Sequence, residues 1–145
     1  MFTKNKYTIY FYLILFFIVF LLLITANYSL SISYKEALNL YYNSSILSII
    51  TNSFTYIFGH NDLALRVPFI VFYTLSVILM FVITKDYFKY EKDRFISVLI
   101  FMSLPGVLSA SLLVNTAIIV TFFTLLYIYF YQKHKKHLYY LLPFL

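Results

Sequence analysis

Glu36 is the acid in this chain whose position best suits proton chemistry. It is the only carboxylate in the segment 31–59, which we place on the outer face of a membrane, where a site could open to the outside. A carboxylate there could accept a proton from a hydroxyl as a general base. The same residue also completes Ser33-Tyr34-Lys35-Glu36, a capping box in which Ser33 and Glu36 satisfy the first free amides of a helix. The two roles are compatible. Arg66 could offer its planar fork to a phosphate, or it could anchor a helix by snorkelling to the headgroups, and the residue types alone favour the anchor. Asn115 does not titrate near neutral pH, so hydrogen bonding between helices is its default role. His134 and His137, three apart, could grip a metal, but in a Lys-rich stretch they read as a solvated helix end that helps fix orientation. Asp62, with Asn61, reads as a helix cap. With no cysteine in the chain, thiolate metal sites, disulfides and a thiol nucleophile are excluded. Two glycines in the whole sequence leave no phosphate-cradling loop.

The elements that must carry these residues are set by composition. Of 145 residues, 63% are hydrophobic and 11% charged, whereas a soluble domain needs about 25% charged residues to cover its surface. A water-facing shell built from this sequence would expose large apolar patches. The chain is therefore an all-α, polytopic transmembrane bundle. Four spans are expected, at about 7–25, 63–84, 95–108 and 112–132, and residues 138–145 read as the opening of a fifth. The first span follows Lys4 and Lys6 and is longer than a signal-peptide core, with a poor cleavage site after it, so it reads as an uncleaved anchor. Residues 31–59 differ in kind. Their apolar positions recur at helical spacing with polar residues between, as expected of two short amphipathic helices lying in the headgroup plane, broken at Asn43-Ser44-Ser45. Pro105-Gly106 should stop or bend the third span.

The basic residues orient the bundle. If the N-terminus is cytoplasmic, one side receives Lys4, Lys6, Lys85, Lys89, Lys92, Arg94, Lys133, Lys135 and Lys136, and the other receives Lys35 and Arg66. Nine against two places the segment 31–59 outside and the N-terminus inside under the positive-inside rule. The net charge of +6 thus reads as membrane orientation, and no nucleic-acid partner is expected.

The order of these features, and above all Phe58-Gly59-His60-Asn61-Asp62-Leu63-Ala64-Leu65-Arg66-Val67-Pro68-Phe69, resembles the GT-C-type integral-membrane glycosyltransferases. The closest likeness is to the dolichyl-phosphate-mannose protein mannosyltransferases and the lipid A aminoarabinose transferases. Phe58, Gly59, Asn61, Arg66 and Pro68 supply a phrase that opens the second helix in that family, and Ser103-Leu104-Pro105-Gly106 resembles its "S-P-G" phrase with one insertion.

The resemblance implies transfer of a sugar from a polyprenyl-phosphate donor to a lipid or protein acceptor on the outer face of a bacterial inner membrane. It implies that Glu36 is the general base, with Lys35 beside it favouring the charged form, and that Lys35, Arg66 and Asn115 contact the donor. A divalent metal held by the outer-loop acid is also compatible with the family. Two positions depart from its pattern: Lys35 stands where the family has the Asp of an Asp-Glu pair, and Asn115 where it has a second Asp. The family's Arg before that second Asp is missing from Ser109-Ala110-Ser111. The chain is expected to be one transmembrane domain over 1–145, the N-terminal part of a longer one. An inactive polytopic scaffold or assembly subunit is the competing expectation. A transporter is disfavoured, because the spans lack paired intramembrane charges.

Overall fold

The computed structural model describes residues 3–28, 46–59 and 61–133 of the chain. All regular structure among them is helical, in six helices: α1 Thr3–Tyr28, α2 Ile46–Phe58, α3 Asp62–Tyr87, α4 Glu91–Ser103, α5 Pro105–Leu112 and α6 Ala117–Lys133. The all-α expectation is met. Lys35, Glu36, the first of the two expected amphipathic helices, the His134–His137 pair and the start of the expected fifth span all lie outside the described residues.

α3 is the mast of the bundle, and every other helix packs on it. One side of it, through Leu65, Phe69, Tyr73 and Val77, repeats at four-residue intervals and is buried at each position. Phe11, Leu15, Leu22 and Ala26 of α1 join this core, along with Val98 and Met102 of α4 and Ile118 of α6. Most of α1's remaining surface is exposed and apolar, as in Leu13, Phe16, Phe17 and Phe20, which suits a surrounding solvent of lipid tails. α1 and α3 are each long and apolar enough to cross a membrane, and α4 with α5 makes a third crossing if the bent pair is one span.

The bend falls where the sequence predicts it. Pro105 has no N–H to bond Phe101, so α4 ends at Ser103 with a tightened Leu104 N–H to Phe101 carbonyl bond of 3.3 Å. Helix restarts at once with Pro105 in its first turn, at 52° to α4. The pair begins beside Phe81 of α3, whose carbonyl Arg94 bonds, and ends beside Arg66, which bonds Leu112. Fifteen residues of α3 separate those contacts, about 22 Å at 1.5 Å per residue, so the bent pair runs along α3 rather than turning back.

Two sequence expectations are corrected at the helix ends. The charged stretch 85–94, between the expected second and third spans, is mostly helix, with only 88–90 between α3 and α4. Lys85 in the last turn of α3 and Glu91 and Asp93 in the first turn of α4 each complement the local helix dipole, which lets charged residues stay helical. The expected span 112–132 is divided: residues 113–116 form a turn, and α6 starts at Ala117.

The second amphipathic helix of the segment 31–59 is present as α2, but it faces the opposite way from a surface helix on a soluble core. Ser48, Thr51 and Thr55 form its buried stripe against α3, while Ile46, Ile49, Tyr56 and Ile57 are exposed. The hydroxyls of the two threonines bond back to carbonyls of their own helix, Thr51 to Leu47 at 2.9 Å and Thr55 to Asn52 at 3.1 Å, so the polar stripe is satisfied internally. Small hydroxylated residues permit close helix approach, and the apolar side points away from α3. α2 ends at Gly59, whose φ of +84° is the left-handed C-terminal position that a glycine occupies without strain.

Candidate functional site

The described basic residues divide sharply by type. Lys6, Lys85, Lys89, Lys92 and Lys133 are exposed, whereas both arginines of the chain are buried, Arg66 at 2% and Arg94 at 8% exposure. A guanidinium presents several donors in a rigid fork and is more weakly hydrated than an ammonium, so it is the cation that can be taken inside to satisfy carbonyl groups.

Arg66 sits one turn into α3, and its side chain points inward. Its Nε donates to the carbonyl of Leu112, the last residue of α5, at 3.0 Å, and a terminal nitrogen donates to the carbonyl of Ala26 in the last turn of α1 at 3.5 Å. Those carbonyls belong to helix C-termini, which lack intrahelical donors and carry partial negative charge. The snorkelling anchor preferred from the sequence is therefore corrected. Two helix ends converge on Arg66 and offer better acceptors than the headgroups would, and the residue is enclosed by the elements it binds.

Asn115 also differs from expectation. It is half-buried in the 113–116 turn, and its side-chain oxygen accepts the Ala117 N–H at 3.0 Å. It thereby caps the start of α6 rather than bonding to another helix. The residue before it, Val114, is buried, and the turn itself holds an Asn115 N–H to Leu113 carbonyl bond of 2.9 Å. At the start of α3, Asn61 occupies the cap position without a side-chain cap bond, and Asp62 lies in the first turn, where its charge meets the positive end of the dipole. Arg66, Ala26, Leu112 and the turn bearing Asn115 thus gather at one end of the bundle.

The other end collects the lysines. Tyr7 of α1 packs near Phe95 of α4 with ring centroids 6.0 Å apart, and Phe11 stacks on Phe81 at 4.1 Å. The Arg94 guanidinium lies 3.6 Å from the centre of the Phe81 ring and makes two bonds to the Phe81 carbonyl, at 3.0 and 2.6 Å. Glu91 pairs with it at 3.3 Å. From the sequence Arg94 is only one of the basic residues that orient the bundle; its position three residues after Glu91 was the available signal that it is held. Between the C-terminal ends of α3 and α6, an open cleft of about 520 Å³ is lined by Asp86, Tyr87, Tyr131 and Gln132. Twenty residues of α3 separate Asp86 from Arg66, about 30 Å, so this cleft is not part of the Arg66 site.

Tyr73, midway along α3, is fully buried, and its hydroxyl donates to the Met102 carbonyl at 2.8 Å. Met102 is in the last turn of α4, where the break at Pro105 leaves carbonyls without helical partners. Residue patterning missed this contact because Tyr73 reads simply as one more apolar residue of a span.

The described residues hold no group of three or more His, Cys, Asp or Glu that could bind a metal ion. The side-chain oxygen of Asn115 is engaged by the Ala117 N–H, and Glu36, which the resemblance would give to a metal, lies outside the described residues.

Apolar helices long enough to cross a bilayer, arginines buried on backbone carbonyls and an outward lipid-like surface define a polytopic membrane protein. The sequence profile of the dolichyl-phosphate-mannose-protein mannosyltransferase family matches residues 45–144, and the chain belongs to that family. This bears out the resemblance read from the phrase around Phe58 to Pro68, which falls inside the matched region together with Arg66 and Asn115. No curated protein and no solved structure matches the chain.

Proposed function

We propose that the chain is a membrane glycosyltransferase of the GT-C type, or part of one, that moves a sugar from a polyprenyl-phosphate donor to an acceptor hydroxyl on the outer face. The family match over 45–144 carries this reading. We put four spans across an inner membrane, counting α1, α3, the bent pair α4–α5, and α6, whose 17 residues reach the lower limit for a crossing. The lysine-rich end faces the cytoplasm and the Arg66 end faces outward, in keeping with the positive-inside rule.

Glu36 is the base in this scheme. It takes the proton of the acceptor hydroxyl as the acceptor oxygen bonds to the anomeric carbon, and the bond from that carbon to the phosphate oxygen breaks, releasing polyprenyl phosphate. Lys35, Arg66 and Asn115 serve the phosphate side of the donor. Lys35 does so as a point charge, Asn115 through its amide, and Arg66 through the fork that it shares with the helix ends. The test is sugar transfer from a polyprenyl-phosphate donor by the full gene product, compared with Glu36→Gln. A loss of about 10²–10⁴ in rate is expected for removal of a general base; undiminished transfer takes Glu36 out of the mechanism.

A second reading is favoured by one observation. Asn115 stands at the family's second Asp position and spends its oxygen on a helix cap, as a retained fold without retained chemistry would. On that reading the chain is an inactive scaffold or assembly subunit, and it binds polyprenyl phosphate with no turnover for any acceptor.

A further inference from the structure

Three buried donors tie helices together: Arg66 joining two helix ends, Tyr73 on Met102 behind the bend, and the Arg94–Phe81 clasp at the opposite end. The first ties together elements that are distant in sequence. Ala26 is 40 residues before Arg66 and Leu112 is 46 after it. Leu112 is the last residue of α5, and the turn 113–116 with Asn115 begins immediately beyond it. α1 likewise ends two residues after Ala26. Two C-terminal helix ends brought side by side present parallel partial negative charges, which repel. A cation between them removes that repulsion and supplies the donors that both ends lack.

We propose that Arg66 is a positioning residue: by bonding the last-turn carbonyls of α1 and α5 with one guanidinium, it fixes where the 113–116 turn and Asn115 stand relative to the end of α1. This placement acts on donor binding, which rests on the glycosyltransferase reading, in addition to the phosphate contact proposed for the same fork. Arg94 provides a built-in comparison, since it is a second buried arginine, held on the single backbone carbonyl of Phe81 towards the opposite end of α3.

The chain has no cysteine, so a pair introduced at the exposed positions Tyr28 and Leu113 can be spin-labelled without background. The distance between the labels is measured in lipid nanodiscs for the parent, Arg66→Lys, Arg66→Gln and Arg94→Gln. The parent should give one narrow distance. Arg66→Gln, which loses the charge and the fork, should broaden and lengthen it. Arg66→Lys should fall between, because a single ammonium keeps the charge without the fork that reaches both carbonyls. Arg94→Gln should leave the distance unchanged even where it lowers thermal stability. An unchanged distance in Arg66→Gln overturns the proposal; should that variant fail to fold, Arg66→Lys indistinguishable from the parent does the same.

In the full gene product, Arg66→Gln should raise the donor KM about tenfold with a smaller change in kcat, the pattern of lost ground-state binding. Arg94→Gln should leave that KM unchanged per folded molecule. If the distance shifts but the parent transfers no sugar, the clamp stands and the glycosyltransferase reading fails. If the parent transfers sugar and the distance does not move, the clamp fails and that reading stands.

Discussion

Tyr73 shows how much can depend on one hydroxyl in a span. Its bond to the Met102 carbonyl answers a vacancy left where α4 ends ahead of Pro105. Tyr73→Phe keeps the ring and the packing, yet leaves a buried carbonyl unsatisfied, at a cost of about 1–3 kcal/mol. Unfolding titrations in micelles should show that loss, and an unchanged midpoint would mean that another donor takes over. Gly59 is the other single-residue test. Its surroundings are open, so Gly59→Ala meets no clash, and its cost comes only from the left-handed backbone, about 1–2 kcal/mol. Gly59→Asn should cost less, since Asn visits that region more readily. Equal losses for Ala and Asn would point away from backbone strain.

At the scale of elements, α2 and the bent pair make the most specific claims. The Ser48, Thr51 and Thr55 stripe of α2 holds close to α3 because its side chains are short. Thr51→Leu raises the apolarity of the helix but forces extra volume into a packed contact, for a loss of about 1–3 kcal/mol in the same titration. A gain in stability would show that α2 is held by apolarity rather than by close approach. For the bend, two causes are separable. Pro105 breaks the hydrogen-bond ladder, while Tyr73 and Arg66 tether the two halves to α3 at Met102 and Leu112. Pro105→Ala alone should therefore leave α4 and α5 bent, and the double change Pro105→Ala with Tyr73→Phe should straighten them. Labels placed at the exposed positions Ile96 and Leu113 would report this as a longer distance only in the double variant.

At the scale of the molecule, the helices run so that Lys6, Lys85, Lys89, Lys92 and Lys133 share one end and Arg66 with Asn115 the other. With the lysine end cytoplasmic, a cysteine at exposed Lys89 should react with an impermeant maleimide only after the membrane is opened, and one at exposed Asn61 should react in intact cells. The reverse pattern would invert the orientation and place the Arg66 end inside. The two ends also differ chemically. Exposed lysines crowd one end, whereas at the other the charged group is Arg66, buried on the carbonyls of Ala26 and Leu112.

By itself the sequence determined the membrane character, the helical class, the bend at Pro105-Gly106 and the family phrase from Phe58 to Pro68. Each of these is written locally, as composition, as period or as a residue with one backbone consequence. Only the tertiary structure decided where Arg66, Arg94 and Tyr73 spend their donors and which side of α2 faces inward. It also decided that Asn115 caps its own helix. Arg66 and Tyr73 reach carbonyls at the ends of other helices up to 46 residues away, and Arg94 reaches the Phe81 carbonyl inside α3, so none of these partners can be read from local sequence. Amphipathic spacing gives the angle between the polar and apolar sides of a helix but not which of them meets protein, because in lipid the usual solvent preference is reversed.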